Sequence, residues 1–328
     1  LTYACGERKR GTAARCHACW MPDTSPPLPG PFLRAEAKNL GVSDRRLRSP
    51  DFRTVFTGVV VDARIPDTVV VRSRAAMLVC PEGGVLSHWT AARLWGGVVP
   101  DNEWIHVAFM RDVRFRVSGA KPHRFRHRLD IRFRHGLPVT SPAQTFCHLA
   151  RHLGLVDLVA LGDRLVKKGR CTPDDLIAYA QNWPGQCRVE ALSAAKLVRK
   201  GVDSVPESAL RLLMVLAGLR EPEVNIRLRD VEGNVRFRIE LGYEDALLAI
   251  EYDGRWHEEP AQKAHDDERR SGLRERDGWT FVIVTADDLY GLPEQLLERI
   301  RSAMESPGIP VPAAPSDGRR RHSRVDTA

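Results

Sequence analysis

No run of about 18 apolar residues occurs in the 328-residue chain, so the sequence offers no membrane-spanning helix. The first residues do not show the charged-then-apolar layout of a secretory signal. Cysteine is scarce. There are seven, an odd number, and five of them are widely scattered. That pattern excludes a disulfide framework and fits reduced thiols, so a cytoplasmic location is expected. Acidic residues fall short of basic ones, 42 against 50, which leaves a net charge of +8. A positive excess favours polyanionic partners, and nucleic acid is the first of these.

Hydrophobic residues make up 43% of the chain, which is ordinary for a folded protein. The length exceeds what one core usually organises and implies two or three domains. Residues 1–30 read as a disordered extension that ends in a Pro/Gly linker. Within it, Cys16-His17-Ala18-Cys19 has zinc-like spacing with Cys5 upstream, but no second pair follows at a suitable distance. Residues 307–328 read as a disordered basic tail.

Residues 31–75 have the outline of a winged helix-turn-helix. A short helix, FLRAEAKNL, is stopped by Gly41, and Ser43 caps a second, SDRRLRSP, which Pro50 ends. An alternating β stretch follows, DFRTVFTGVVVDA, with Gly58 as its turn. Arg45, Arg46 and Arg48 then lie where a recognition helix meets phosphates and base edges. The alternative is a small helical cap with solvated arginines.

Residues 76–140 form a basic α+β region. Ser87 is placed to cap the helix HWTAARLWG, so Ser87, His88 and Thr90 read as architectural. Between Arg111 and His135 stand nine Lys/Arg against two Asp. Arg114-Phe115-Arg116-Val117 and His123-Arg124-Phe125-Arg126 alternate, which predicts strands with one face packed down and a cationic face outward. Arg124, Arg126 and Arg128 are therefore candidates for the DNA backbone. Residues 141–203 read as a helical connector with no chemistry of its own.

From 204 to 306 the element order is α-β-β-β-α-β. The strands are EVNIRLRD, NVRFRIELGY, LLAIEYDG and WTFVIVTA. If the middle hairpin pairs Tyr243 with Ala246, Glu240 lies opposite Ala249 and diagonal to Glu251, about 7–8 Å away. Crowded carboxylates call for a cation among them, and hard oxygen ligands suit Mg²⁺ or Mn²⁺. Glu240, Glu251 and Asp253 are the expected metal ligands. His257 is the expected proton carrier.

Two resemblances attach to these residues. The region of roughly 30–165, carrying VLSHWTAARLWGG and GLPVTSPAQTFCHLA, resembles AbiEi-type antitoxins. That likeness implies a DNA-binding winged helix, transcriptional control and a cognate toxin as partner. Residues 204–300, with Glu207, Glu240, IEYDGRWH, Asp267-x-x-Arg270 and DGWTFVIVTADDL, resemble the PD-(D/E)xK nucleases, most closely the very-short-patch-repair branch. By that likeness Glu240 and Glu251 bind metal, Asp253 ligates or orients water, His257 moves a proton, and Glu207 assists from its helix. Two positions depart from the pattern: Glu240 stands where Asp is usual, and Asp253 stands where many members carry Lys. The expectation is a multi-domain α/β protein that binds DNA and hydrolyses its phosphodiesters for repair or for defence against foreign DNA. The other expectation is a non-catalytic, antitoxin-type regulator with a degenerate nuclease fold.

Overall fold

The computed structural model describes residues 28–254, 271–275 and 277–305. Most of the N-terminal extension with its cysteine pair, the basic tail, His257, Trp256 and the Asp267–Arg270 pair lie outside the described residues. The chain is mixed α/β with three sheets among the described residues, and no helix is long and apolar enough to cross a membrane. It divides into two compact units between Pro66 and Asp67.

In the first unit, β1 (Phe32–Leu33), β2 (Phe52–Phe56) and β3 (Val59–Asp62) form a sheet in the order β1-β3-β2. The expected hairpin is present, and Gly58 turns it at φ 82°, a conformation open to glycine. The two expected α-helices are not. Residues Arg34–Glu36 and Arg46–Arg48 are single 3₁₀ turns. Each segment is too short to repay helix nucleation by its own hydrogen bonds, and Gly41 and Pro50 close them off. Ser43 Oγ accepts from the Arg46 N–H at 3.3 Å, which holds one turn and no more. Phe32, Ala37, Val42, Leu47, Phe52 and Val60 make the small core. Arg45 and Arg48 are exposed, while half-buried Arg46 lies 5.7 Å over the Phe52 ring.

The second unit begins with α1 (Val69–Leu78), which Thr68 caps. A five-stranded sheet follows, built from β4 (Val85–Leu86), β5 (Ile105–Phe109), β6 (Ala120–Arg124), β7 (Ile131–Arg134) and β8 (Leu137–Thr140), in the order β6-β5-β4-β8-β7. Helix α2 (His88–Trp95) connects β4 to the rest and stops at Gly96, φ 83°. No strand forms over Arg114–Val117, contrary to expectation; β6 instead starts at Ala120 and pairs with β5 alone. The charge density there explains this: neighbouring cationic strands repel, and the edge position leaves the arginines in water.

Helices α3 (Pro142–Leu149), α4 (Leu155–Lys167), α5 (Pro173–Gln181) and α6 (Arg188–Leu197) fill the expected connector. Ser141 caps α3, and a Thr172/Asp175 capping box starts α5. Then α7 (Val205–Leu216) leads into a four-stranded sheet of order β12-β11-β10-β9, comprising β9 (Glu223–Arg229), β10 (Val235–Tyr243), β11 (Leu248–Tyr252) and β12 (Thr280–Val284). The expected order survives, with helical residues at 271–275 and a further helix, α8 (Pro293–Met304), after β12. Leu210 and Met214 of α7, Leu241, Ile250, Val284 and Ile300 belong to its main core. Trp279 packs in a second cluster with Ile226, Ile239 and Ala249.

The connector is not a separate body. Arg211 on α7 is fully buried and donates to Asp163 of α4 at 3.3 Å, to Glu221 at 3.0 Å and to the Leu197 carbonyl at 2.7 Å. Asp163 also accepts from the Ser208 hydroxyl and the Arg199 N–H, both at 2.7 Å.

Candidate functional site

The register of β10 on β11 decides where the acids meet. Tyr243 pairs with Leu248, Gly242 with Ala249 and Leu241 with Ile250. The expected pairing of Tyr243 with Ala246 is therefore two residues out. The cause is the turn: Glu244–Ala246 form a 3₁₀ turn and Leu247 takes a left-handed φ of 49°, so the loop is longer than a tight hairpin. One step on in the same ladder, Glu240 falls directly opposite Glu251, closer than the expected diagonal. Oε2 of Glu240 accepts from the Tyr252 N–H at 3.0 Å, which locks this arrangement.

Glu207 joins them from α7. Ser204 caps this helix by accepting the Glu207 N–H at 3.2 Å, and Oε2 of Glu207 accepts from the Asp203 N–H at 2.9 Å. Its side chain thus serves the helix N-terminus as well as facing the sheet. Glu207 and Glu251 are both buried, at 4% and 7% exposure. Burial, joined by the negative charges of Glu207 and Glu251, raises the Glu240 carboxyl to about 7. Burial also raises Glu207. Arg238 pairs with Asp203 at 2.5 Å, and its positive charge also opposes part of the upward shift of Glu207 and Glu240. Asp253, at the end of β11, donates its backbone N–H to the Val284 carbonyl at 2.7 Å. Glu207, Glu240 and Glu251 thus influence one another across α7, β10 and β11, and Asp253 stands just past the end of β11. No three of these carboxylates draw their oxygens within 4.8 Å of one another, and His257 lies outside the described residues.

The candidate DNA-contacting arginines follow the predicted alternation over residues 123–129, and exposure alternates over 114–117 as well, though without a strand. Arg124, Arg126 and Arg128 are exposed, while His123, Phe125, His127 and Leu129 between them turn inward. Arg124 spends part of its charge on exposed Asp112 at 2.8 Å. A cleft of about 700 Å³ lies beside Arg128, bordered by Arg132, Arg170, Tyr179 and Trp183. Cations interleaved with aromatic rings suit phosphate contact and base stacking.

Sequence reasoning missed a third group. The inward side chains of the basic strand meet residues of α2, β5 and α3 in a stack of rings. His88 lies 3.9 Å from His123 and 4.8 Å from His148 between centroids, and Phe125 lies 4.4 Å from His148. His88, His106 and His148 are all buried. Burial, reinforced by neighbouring charge, pushes His106 down to about 3 and His123 to about 4. It pushes His148 down to about 3 and lowers His88 as well. These imidazoles are neutral at pH 7. Ser87 caps α2 without using its side chain on the backbone; its hydroxyl is bonded to His88 Nδ1 at 2.9 Å instead. No local motif announces this group. The one signal was compositional: seven of the eleven histidines fall between residues 88 and 152.

No protein-family model matches the chain, and no curated protein sequence does.

Proposed function

We propose that the chain is a DNA-binding protein whose C-terminal module is a nuclease-like domain that hydrolyses phosphodiesters with Mg²⁺ or Mn²⁺. The observation that carries this reading is the meeting of buried Glu207 and Glu251 with half-buried Glu240, the last raised to about 7. A sheet rarely gathers three acids without a task, because each raises the cost of ionising the others. The donor set fits the ion: all oxygens are hard carboxylate ligands, and no imidazole or thiolate among the described residues competes there. Glu240, Glu251 and Asp253 would hold the ion, which when bound supplies an activated water and charge stabilisation at the phosphorus. The Tyr252 N–H fixes one oxygen of Glu240, so its other oxygen is oriented before any ligand arrives. The Asp203 N–H does the same for Glu207. Arg124, Arg126 and Arg128 contribute sequence-independent grip on the polyanion, and Arg45, Arg46 and Arg48 contribute phosphate contacts from the 3₁₀ turn of the first unit.

A second reading is a non-catalytic regulator of antitoxin type, working in the cytoplasm with a cognate toxin. One observation favours it: a proton on Glu240 and the two backbone donors already ease the repulsion without any ion. Incubation of supercoiled plasmid with the purified chain, with and without Mg²⁺ or Mn²⁺, separates the readings. Metal-dependent nicking that Glu251→Gln abolishes supports the nuclease. DNA binding without nicking in either metal leaves the regulator.

A further inference from the structure

The stacked imidazoles have ligand geometry of their own. One ring nitrogen from each of His88, His106 and His123 lies within 4.8 Å of one in the other two. Among the described residues this is the one group of three potential ligands drawn so close. The fold brings them together from different places. His106 is the second residue of β5, His123 lies on the parallel neighbour β6 two residues past Lys121, the register partner of His106, and His88 opens α2.

A neighbour outside the group fixes the tautomer of His106. Asn102 Oδ1 accepts from the Trp104 backbone N–H at 3.0 Å, so that atom is the amide oxygen. His106 Nε2, 2.9 Å from the same oxygen, must therefore carry a proton. Its Nδ1 is left with a lone pair, 2.8 Å from His123 Nε2. His88 Nδ1 is engaged by Ser87 at 2.9 Å, which leaves its Nε2 for another partner. A polar group on the outer nitrogen, as Asn102 is for His106 and Ser87 for His88, is the usual support for histidines that ligate metal. Two nitrogens bound at about 2.0–2.1 Å to one tetrahedral ion stand about 3.3 Å apart. Shifts of a few tenths of an ångström would admit an ion between His106 and His123.

Two further features point the same way. His148, packed on His88, is 4% exposed, and neither of its ring nitrogens has a hydrogen-bond partner. His88 itself holds a left-handed φ of 49°, a conformation costly for a residue with a Cβ and kept where the surroundings demand it.

We propose that His88, His106 and His123 form a three-imidazole site for a borderline divalent transition ion, Zn²⁺ being the fitting member, with the fourth position left to water or a small ligand. Neutral nitrogen donors with no carboxylate in the set select zinc over Mg²⁺ or Mn²⁺. The site is distinct from the glutamate cluster and stands whether or not that cluster is catalytic.

The test is metal content and Zn²⁺ titration of the full chain after chelator treatment. Because Cys16 and Cys19 offer thiolates, the chain is compared with Cys16→Ser/Cys19→Ser, His106→Gln, His123→Gln, Asn102→Leu and a control, His135→Asn. The expected result is one ion retained in the cysteine and His135 variants and lost in His106→Gln and His123→Gln. Asn102→Leu should bind about 10- to 100-fold more weakly, as loss of an outer hydrogen bond does. Should His106→Gln not fold, His123→Gln decides, since its ring is only partly buried. No bound zinc in the wild type, or zinc lost with the cysteines and kept in both histidine variants, overturns the proposal.

Discussion

Replacing Glu240 with glutamine should make the protein more stable at alkaline pH, and the size of the gain follows from the cluster. In the folded chain the Glu240 carboxyl sits at about 7, against its ordinary 4.5. Between those values the folded state keeps a proton that the unfolded chain gives up. The stability this proton contributes is complete below pH 4.5 and is lost as pH rises through 7. At about 1.4 kcal/mol per pH unit, the full loss is about 3 kcal/mol. Glutamine has no such proton to lose, and its side-chain oxygen can still accept from the Tyr252 N–H. Urea unfolding in chelator at about pH 5 and about pH 8 should thus give nearly equal stabilities at the lower pH. At the higher pH, Glu240→Gln should lead by up to about 3 kcal/mol. Mg²⁺ or Mn²⁺ should close the gap by stabilising the wild type alone. An equal difference at both pH values, or a variant less stable at pH 8, would refute the idea that burial, joined by the neighbouring acids, holds a proton on Glu240.

Other outcomes follow from geometry already described. Asp163→Ala should cost about 3–5 kcal/mol by stranding buried Arg211, whereas Asp163→Leu with Arg211→Met should recover much of that loss in the same urea titration. Gly242→Ala should cost about 1–3 kcal/mol, because the new Cβ would stand 2.5 Å from the Leu248 carbonyl oxygen across the hairpin; a melting temperature equal to the wild type would contradict the register. Neutralising Arg124, Arg126 and Arg128 together should weaken binding to any DNA sequence and lower the salt slope by about 2 to 3. An unchanged slope would assign that face to solvent. Arg45→Ala with Arg46→Ala should affect a specific site more than random DNA, and equal losses on both would argue against a reading role in a groove.

Element order was legible in the C-terminal module because long strands and an amphipathic helix carry their own periodicity. The module's α-β-β-β order and the gathering of Glu240 and Glu251 were both readable from EYDG and its flanks. The register was not, since it depends on Leu247 entering a left-handed conformation that no residue type signals. The N-terminal helices failed for a different reason: caps and stops were in place, but the segments between them were too short to sustain more than single 3₁₀ turns. The basic strand was half right. Exposure alternates both from His123 to Leu129 and at Arg114–Val117, but the second stretch forms no strand. The histidine group was out of reach because it is assembled by β5 and β6 pairing in parallel across a long connection, and such contacts leave no local pattern.

Arg211 has a consequence for how this chain can be inherited. A gene segment encoding the nuclease-like module alone, beginning near Ser204, would carry the guanidinium but leave behind Asp163 and the Leu197 carbonyl that satisfy it. In a new host protein that module would arrive with a buried guanidinium that keeps Glu221 but has lost its buried acid and its carbonyl acceptor. Recombination between relatives should therefore have kept α4 and α7 together, or replaced both residues at once. The seam drawn by composition at residue 204 cuts through this buried ion network, and a crossover upstream of α4 would leave it whole.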